Sequence, residues 1–404
     1  MSSATVAITL ILAVLATATA VYWGFVLGRL IRLARHTPLL EDGLDLPVVD
    51  DLVSVIVPAH DEARVIERMV ASMRAQREAR IELVVVLDRC TDDTLARLEA
   101  AAENDPRIRP IVNDSCPDDW AGKCHAASVG AAAAQGDWLL FTDADVRFDA
   151  DVVRSAVAIA DAEGIDLLSA YTRLTSGHWW EAVVQPPAAI TLLRMFPPDR
   201  TNHVERPRSF ANGQFMLFRR TFYDRLGGHA AVKDDLLEDL AFAKAVHRLD
   251  GRVRVVDSGD RIQTSMYESL EDLLGGWRRI FIESCHRNIG RMNRNVVRVA
   301  AAGLGPVTAI ASLGTGVVAA SLGGTLLGIL AMVAGVAGLV FSGAALLVVF
   351  GRGGMPRIGI LGWPLGCLLV AGAIRGGAVD LARGRPVRWG GRAYLIEPER
   401  SARA

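Results

Sequence analysis

The chain has 404 residues, 51% of them hydrophobic, and a mean hydropathy of +0.28; it is longer than one ordinary domain and too apolar for an ordinary soluble one. Its net charge of −1 averages over unlike regions and singles out no partner. The five cysteines (Cys90, Cys116, Cys124, Cys285, Cys367) are odd in number and contain no CxxC, which supports neither a disulfide framework nor a structural zinc site and suits a reducing compartment.

The hydrophobic excess is concentrated in a few segments. Residues 1–28 read as an N-terminal transmembrane helix, since Ser2 to Gly28 carries no charge and is long enough for one crossing. No Lys or Arg precedes that run, whereas Arg29, Arg32 and Arg35 follow it, which argues against a cleaved signal peptide and places the following chain in the cytoplasm. Residues 29–50 read as a linker and 51–279 as a water-soluble α/β domain. A basic juxtamembrane segment, 280–298, is expected to rest on anionic headgroups, which makes membrane lipids a partner and a nucleic acid a poor one. Residues 299–351 are uncharged over a length that allows two crossings. Ile358 to Ile374 is short and interrupted by Pro364, and a full span there would put Arg375, Arg383, Arg385, Arg388 and Arg392 outside. It therefore reads as a re-entrant or interfacial segment in preference to a third span, ahead of a basic tail, 375–404. The expectation is a multi-pass protein of the cell (plasma or inner) membrane.

Within the domain, Leu52 to Val57 reads as a buried strand ending at Pro58, followed by Ala59-His60-Asp61-Glu62 and a helix from about Ala63 to Gln76. Ile81 to Leu87 is a second strand and ends in Asp88; Thr91 or Asp92 is an N-cap for a helix to about Ala102. Ile108 to Val112 is a third strand. Gly122-Lys123 opens an Ala-rich helix, and Trp138-Leu139-Leu140-Phe141 is a strand running straight into Thr142-Asp143-Ala144-Asp145. Short alternating strands and helices imply right-handed crossovers and a mostly parallel sheet, whose strand ends gather at one edge. Glu62, Asp88, Asp143 and Asp145 all stand at such ends. Carboxylates spaced i, i+2 leave a strand on the same side and suit one hard divalent cation held against a diphosphate. There is no GxGxxG and no Walker A.

Val55-Ile56-Val57-Pro58-Ala59-His60-Asp61-Glu62, Asp88-x-x-Thr91-Asp92-Asp93-Thr94, Gly122-Lys123 and Thr142-Asp143-Ala144-Asp145 together resemble the inverting family-2 glycosyltransferases. The resemblance implies a GT-A fold, a Rossmann-like α/β domain with a mostly parallel sheet, lying in the cytoplasm between N-terminal and C-terminal transmembrane helices. It implies a UDP- or GDP-sugar donor and Mg²⁺ or Mn²⁺. It places Pro58, Ala59, Glu62, Asp88, Lys123 and Asp143 around the nucleotide sugar, and Asp145 with Asp143 at the metal. His60 departs from the Asn of many relatives. Leu237-Glu238-Asp239-Leu240 resembles the segment that carries the general base; the role falls to Asp239, with Glu238 beside donor or acceptor.

Gln214, Trp277 and Arg278 are further candidates for acceptor or diphosphate contacts, although Gly276-Trp277-Arg278-Arg279 lacks the (Gln/Arg)-x-x-Arg-Trp motif of processive synthases, which weakens a polymerase reading. The stretch Trp179 to Phe196, with Pro186-Pro187 breaking its helical periodicity, suits an interfacial segment that admits a lipid acceptor. The tail, Trp389-Gly390-Gly391-Arg392-Ala393-Tyr394, resembles that of the hopanoid-cluster, carotenoid-type and ceramide-glucosyltransferase-like branches. The expected function is transfer of a sugar to a lipid hydroxyl (isoprenoid, hopanoid, carotenoid or sphingolipid-like) at the cytoplasmic membrane face. The alternatives are a polyprenyl-phosphate sugar synthase, a polysaccharide synthase and a non-catalytic sugar-nucleotide sensor.

Overall fold

The computed structural model describes residues 1–203, 205, 207–389 and 392–398. Helix α1 (Ser3–His36) leads through a 3-10 turn at Leu40–Asp45 into β1 (Leu52–Ala59), α2 (Ile66–Arg74), β2 (Arg80–Asp88), α3 (Thr94–Ala102), β3 (Ile108–Asn113), α4 (Gly122–Ala133) and β4 (Trp138–Phe141). There follow β5 (Val146–Phe148), α5 (Val152–Ala162), β6 (Leu167–Tyr171), β7 (Arg173–Leu174), α6 (Trp179–Met195), α7 (Pro198–Thr201), β8 (Met216–Arg219), α8 (Arg220–Leu226), α9 (Glu238–Arg248), β9 (Val253–Asp257) and β10 (Ile262–Thr264). The chain continues with α10 (Leu270–Ser284), α11 (Ile289–Ser321), α12 (Thr325–Arg352) and α13 (Trp363–Ala382), and a hairpin of β11 (Val387–Trp389) and β12 (Arg392–Tyr394) follows.

The central sheet has the order β3-β2-β1-β4-β8-β6-β9. Only β8 runs against its neighbours; the other pairings are parallel. From β1 the chain steps outward to β2 and β3, then returns to lay β4 on the other side of β1. The loops leaving β1 and β4 diverge at that reversal, which is where an open α/β sheet forms its ligand crevice. Period-2 alternation sorts the side chains of β1: Val53, Val55 and Val57 pack with Ile66, Met69 and Val152 in one core, whereas Ile56 joins Ala126, Ala127 and Phe242 in another. A third core holds Trp23, Trp180, Trp277 and Trp363, and so ties α1, α6, α10 and α13 together.

Several expectations are corrected. The 29–50 stretch is no linker. Its first part continues α1, and its 3-10 turn is fastened to α5, where Arg154 donates to the carbonyls of Gly43 (2.8 Å) and Leu46 (3.0 Å). β1 runs through Pro58 to Ala59, because a proline near a strand's end forgoes little of the ladder. Ahead of β8 the chain turns at an Asn212–Phe215 bridge. The basic 280–298 segment comprises the end of α10 and the first turns of α11.

Pro186 and Pro187 do not break α6, which runs unbroken from Trp179 to Met195. They free the carbonyls of Ala182 and Val183, and glycines close over both. A Cβ at Gly359 would stand 2.8 Å from the Ala182 oxygen, and one at Gly366 would collide with that of Val183.

The segments Ser3–His36, Ile289–Ser321, Thr325–Arg352 and Arg357–Ala382 are each long and apolar enough to cross a membrane. α11 and α12 pack through glycine. A Cβ at Gly328 would lie 2.6 Å from the Gly316 oxygen, so the backbones approach more closely than any side chain would allow. The outer ends of this bundle are set by polar contacts with the α/β unit. Arg29, near the end of α1, pairs with Asp199 (3.6 Å), Asn295 in α11 accepts from Arg194 (2.7 Å), and Arg352 at the end of α12 pairs with Asp257. α13 touches the unit at both ends: near its start Gly362 and Gly366 press on Val183, and near its close Asp380 pairs with Arg278 (2.9 Å).

Candidate active site

The carboxyl ends of β1, β2 and β4 open into one cavity of about 1100 Å³. Lys123, one residue into α4, is its hub. Its Nζ lies 2.7 Å from Asp143 Oδ1, beyond β4, and 2.7 Å from Glu238 Oε1, at the first turn of α9. One ammonium thus draws together three segments that are far apart in sequence. Burial works to lower the Lys123 pKa, but the two carboxylates outweigh it and hold the group charged, well above the usual lysine range.

The tight turn Asn212-Gly213-Gln214 lies against two of these groups, Lys123 and Glu238, and against Asp239. A methyl at Gly213 would stand 3.2 Å from Lys123 Nζ, 3.3 Å from Glu238 Oε1 and 3.4 Å from Asp239 Oδ2, and the Gly213 N–H donates to Asp239 Oδ2 at 2.9 Å. The Leu240 N–H holds the other oxygen, Oδ1, at 2.7 Å.

Glu238 and Asp239 are adjacent, and their surroundings drive them apart. Burial raises the Asp239 carboxyl well above the ordinary aspartate range, the neighbouring Glu238 charge adds to this, and the two backbone N–H groups only partly oppose it. Glu238 is buried too, yet its ion pair with Lys123 overcomes the burial and leaves it lowered. Divergent environments of this kind divide roles between two carboxylates. Glu238 is a fixed anion spent on Lys123, whereas Asp239 has the higher proton affinity that a general base needs.

The opposite wall is short of positive charge. Glu62 is raised to about 8 by burial, then by the charges of Asp145 and Asp143. Asp145 is raised by burial and by Asp143, and its Oδ1 is buried with no hydrogen-bond partner among the described residues. Three carboxyl groups with one unpartnered oxygen fit a hard divalent cation, which binds oxygen ligands. Asp145 and Asp143 are the residues that would hold it.

Asp88 is placed by neighbours rather than left open. Arg89 grips both its oxygens (3.1 and 2.6 Å), Asn113 Nδ2 donates to Oδ1 (2.8 Å), and the Asp88 carbonyl lies 2.6 Å from His60 Nδ1. His60 in this way fastens the β1 loop to the end of β2. Pro58 and Ala59 line the cavity beside it.

The remaining candidates divide. Gln214 lines the cavity as a brace: its carbonyl accepts from Thr142 Oγ1 (2.8 Å) and its amide oxygen from Thr172 and Thr264 (3.1 Å for Thr264). Trp277 also lines it, but its ring is 4% exposed and stacks on Phe281 of its own helix (centroids 5.5 Å apart) instead of offering a face to an acceptor. Arg278 does not reach the cavity; it turns to Asp380 on α13, and Arg279 lines the site in its place. Sequence reasoning assigned no role to Gly213, Arg89 or Asn113. For Gly213 a signal existed, a glycine in the turn before a strand, but its partners come from two distant segments.

Residues 54–227 match the profile of glycosyl transferase family 2. Among curated proteins, 4,4'-diaponeurosporenoate glycosyltransferase of Staphylococcus haemolyticus is 24% identical over 234 residues, 56% of this chain and 60% of that protein. Succinoglycan biosynthesis protein ExoO of Rhizobium meliloti is 34% identical over 123 residues, 30% of this chain and 34% of that one. The chain thus spans less than two thirds of either relative. Among solved structures, mannosyltransferase PcManGT from Pyrobaculum calidifontis, in complex with GDP-Man and Mn2+, has a TM-score of 0.46 at 18% identity, covering 91% of this chain and 98% of that one. The matched residues run from β1 into the segment after β8 and include the Asp-x-Asp turn, so this part of the α/β unit is similar to the glycosyl transferase family 2 domain.

Proposed function

We propose that the protein is an inverting glycosyltransferase that moves one sugar from a UDP- or GDP-sugar to a lipid hydroxyl at the cytoplasmic face of the cell membrane. One observation carries the lipid acceptor. The cavity that holds Asp143, Asp145 and Asp239 continues without a break to apolar side chains of the bundle, among them Leu30 and Leu33 of α1 and Val348 of α12, with Ile190 and Leu193 of α6 beside them. A water-soluble acceptor has no use for such a wall.

In this reading Asp239 takes the proton from the acceptor hydroxyl as its oxygen bonds to the anomeric carbon, and the bond to the nucleoside diphosphate breaks on the opposite face, inverting the centre. Lys123 offsets charge near the departing diphosphate. Asp145 and Asp143 would hold a divalent cation, which would supply further neutralisation of that leaving group. The test uses membranes containing the protein and radiolabelled UDP- and GDP-sugars, with Mg²⁺, Mn²⁺ or chelator, followed by phase partition. Chelator-sensitive, mild-acid-stable label in the organic phase is the expected result; label confined to a water-soluble product removes the lipid acceptor.

Three crossings, α1, α11 and α12, with α13 lying in the interface, account for the contacts of the bundle with the α/β unit. The end of α1, the start of α11, the end of α12 and both ends of α13 all meet that unit. A C-terminal fluorescent-protein fusion is therefore expected to be bright and a C-terminal alkaline phosphatase fusion inactive. The reverse pair would make α13 a fourth crossing.

A further inference from the structure

The 114–121 loop joins two parts of the site, Asn113, which steadies Asp88, and Lys123, its hub, yet it has no regular structure of its own. Within it only one backbone bond forms, Trp120 N–H to the Pro117 carbonyl (3.2 Å). Such a loop wanders unless its polar groups find partners elsewhere.

They find them in two places: at Lys233, whose carbonyl accepts from the Ala121 N–H (2.6 Å) and whose Nζ pairs with Asp119 (2.5 Å), and in the C-terminal hairpin, more than 270 residues away. The Arg392 guanidinium donates to three loop carbonyls, Cys116 (2.7 Å), Pro117 (3.2 Å) and Trp120 (3.2 Å). The Gly122 N–H donates to Tyr394 Oη at 3.3 Å, and Tyr394 lines the cavity. Two residues on, Ile396 is 3% exposed in the core shared with α10 and α13, so the hairpin is anchored independently of the loop. Gly390, Gly391 and residues 399–404 lie outside the described residues, as do the side chains of Arg388 and Trp389.

We propose that this hairpin is a working part of the donor pocket: Arg392 fixes the 114–121 loop, and Tyr394 closes the wall beside Gly122 and Lys123. Both are positioning residues. The proposal rests on the reading of the cavity as a nucleotide-diphosphate site. It makes the affinity for donor depend on a segment beyond the last membrane helix, outside the family-matched residues 54–227.

The test measures equilibrium binding of UDP and GDP, donor and acceptor KM, and hydrogen exchange at 114–122 in the full-length protein in detergent. Arg392→Ala removes three hydrogen bonds to main-chain carbonyls. It is expected to raise nucleotide Kd and donor KM about tenfold, leave kcat within about threefold, and speed exchange at 114–122 without ligand. Arg392→Lys is expected to recover part of that loss. Tyr394→Phe keeps the ring, loses the oxygen and is expected to cost about threefold in donor KM. Acceptor KM stays unchanged throughout. If the wild type binds nucleotide and Arg392→Ala binds it equally well, or exchange at 114–122 does not change, the hairpin is no part of the pocket and the donor site stands. If the wild type binds neither nucleotide, the donor reading falls and takes this proposal with it.

Discussion

Asp239→Asn is expected to lower kcat by about a thousandfold and to leave donor KM within about threefold, the signature of a group needed only while a proton moves. The side chain keeps its size, so donor contacts through Lys123, Asp143 and Asp88 persist. One of the two backbone donors on Asp239, Gly213 N–H or Leu240 N–H, then faces an amide NH₂ in place of an oxygen, which costs about 1–3 kcal/mol in stability but no unfolding. Glu238 cannot take over, because its ion pair with Lys123 lowers its basicity. The wild-type pH profile carries the same argument. Burial and the Glu238 charge raise the Asp239 pKa, so the base is protonated and idle below that raised value, and kcat climbs as pH rises through it. In Asp239→Asn that limb disappears. Substantial activity in the variant means an acceptor already ionised, as a lipid phosphate is, and moves the reading to a polyprenyl-phosphate sugar synthase.

What the sequence made legible follows from where information is local. β4 begins and ends at Trp138 and Phe141, as four successive apolar residues before an Asp-x-Asp turn suggest, because a strand buried on both faces needs no distant partner to be recognised. The edges of β1 and α2 were less legible: a proline at a strand's last turn and the Asp61-Glu62 loop blur the boundary by two or three residues. α6 was misread for a physical reason. Pro186 and Pro187 forbid two internal hydrogen bonds, and only the glycines of a segment more than 170 residues later make that loss tolerable. Arg278 and Arg279 are neighbours of one type, and the helix phase that sends the first to Asp380 and the second to the cavity is set by α13. The hairpin contacts of Arg392 and Tyr394 were out of reach altogether, since local pattern carries no trace of a loop so remote in sequence.

Asp145→Asn is expected to act in opposite directions on activity and on stability. Without a cation, Asp145 is a carboxylate crowded by Asp143 and near Glu62, with Oδ1 buried and unpartnered among the described residues. That arrangement stores unfavourable energy which a divalent cation relieves. Asparagine removes the charge and keeps the shape. In the presence of chelator the variant is thus expected to melt about 2–4 °C above the wild type, the shift that about 1 kcal/mol brings in a domain of this size. With Mn²⁺ and nucleoside diphosphate the order reverses: the wild type gains stability by binding, and the variant gains little. Mn²⁺ binding followed by electron paramagnetic resonance is expected to weaken at least tenfold, and turnover to fall by about a thousandfold. A structural carboxylate gives a different pattern. Were Asp145 merely bracing the turn after β4, Asn would lower the melting temperature with or without cation and leave Mn²⁺ binding alone. The crossing of the two melting curves therefore separates a metal ligand from a structural residue without reference to any substrate.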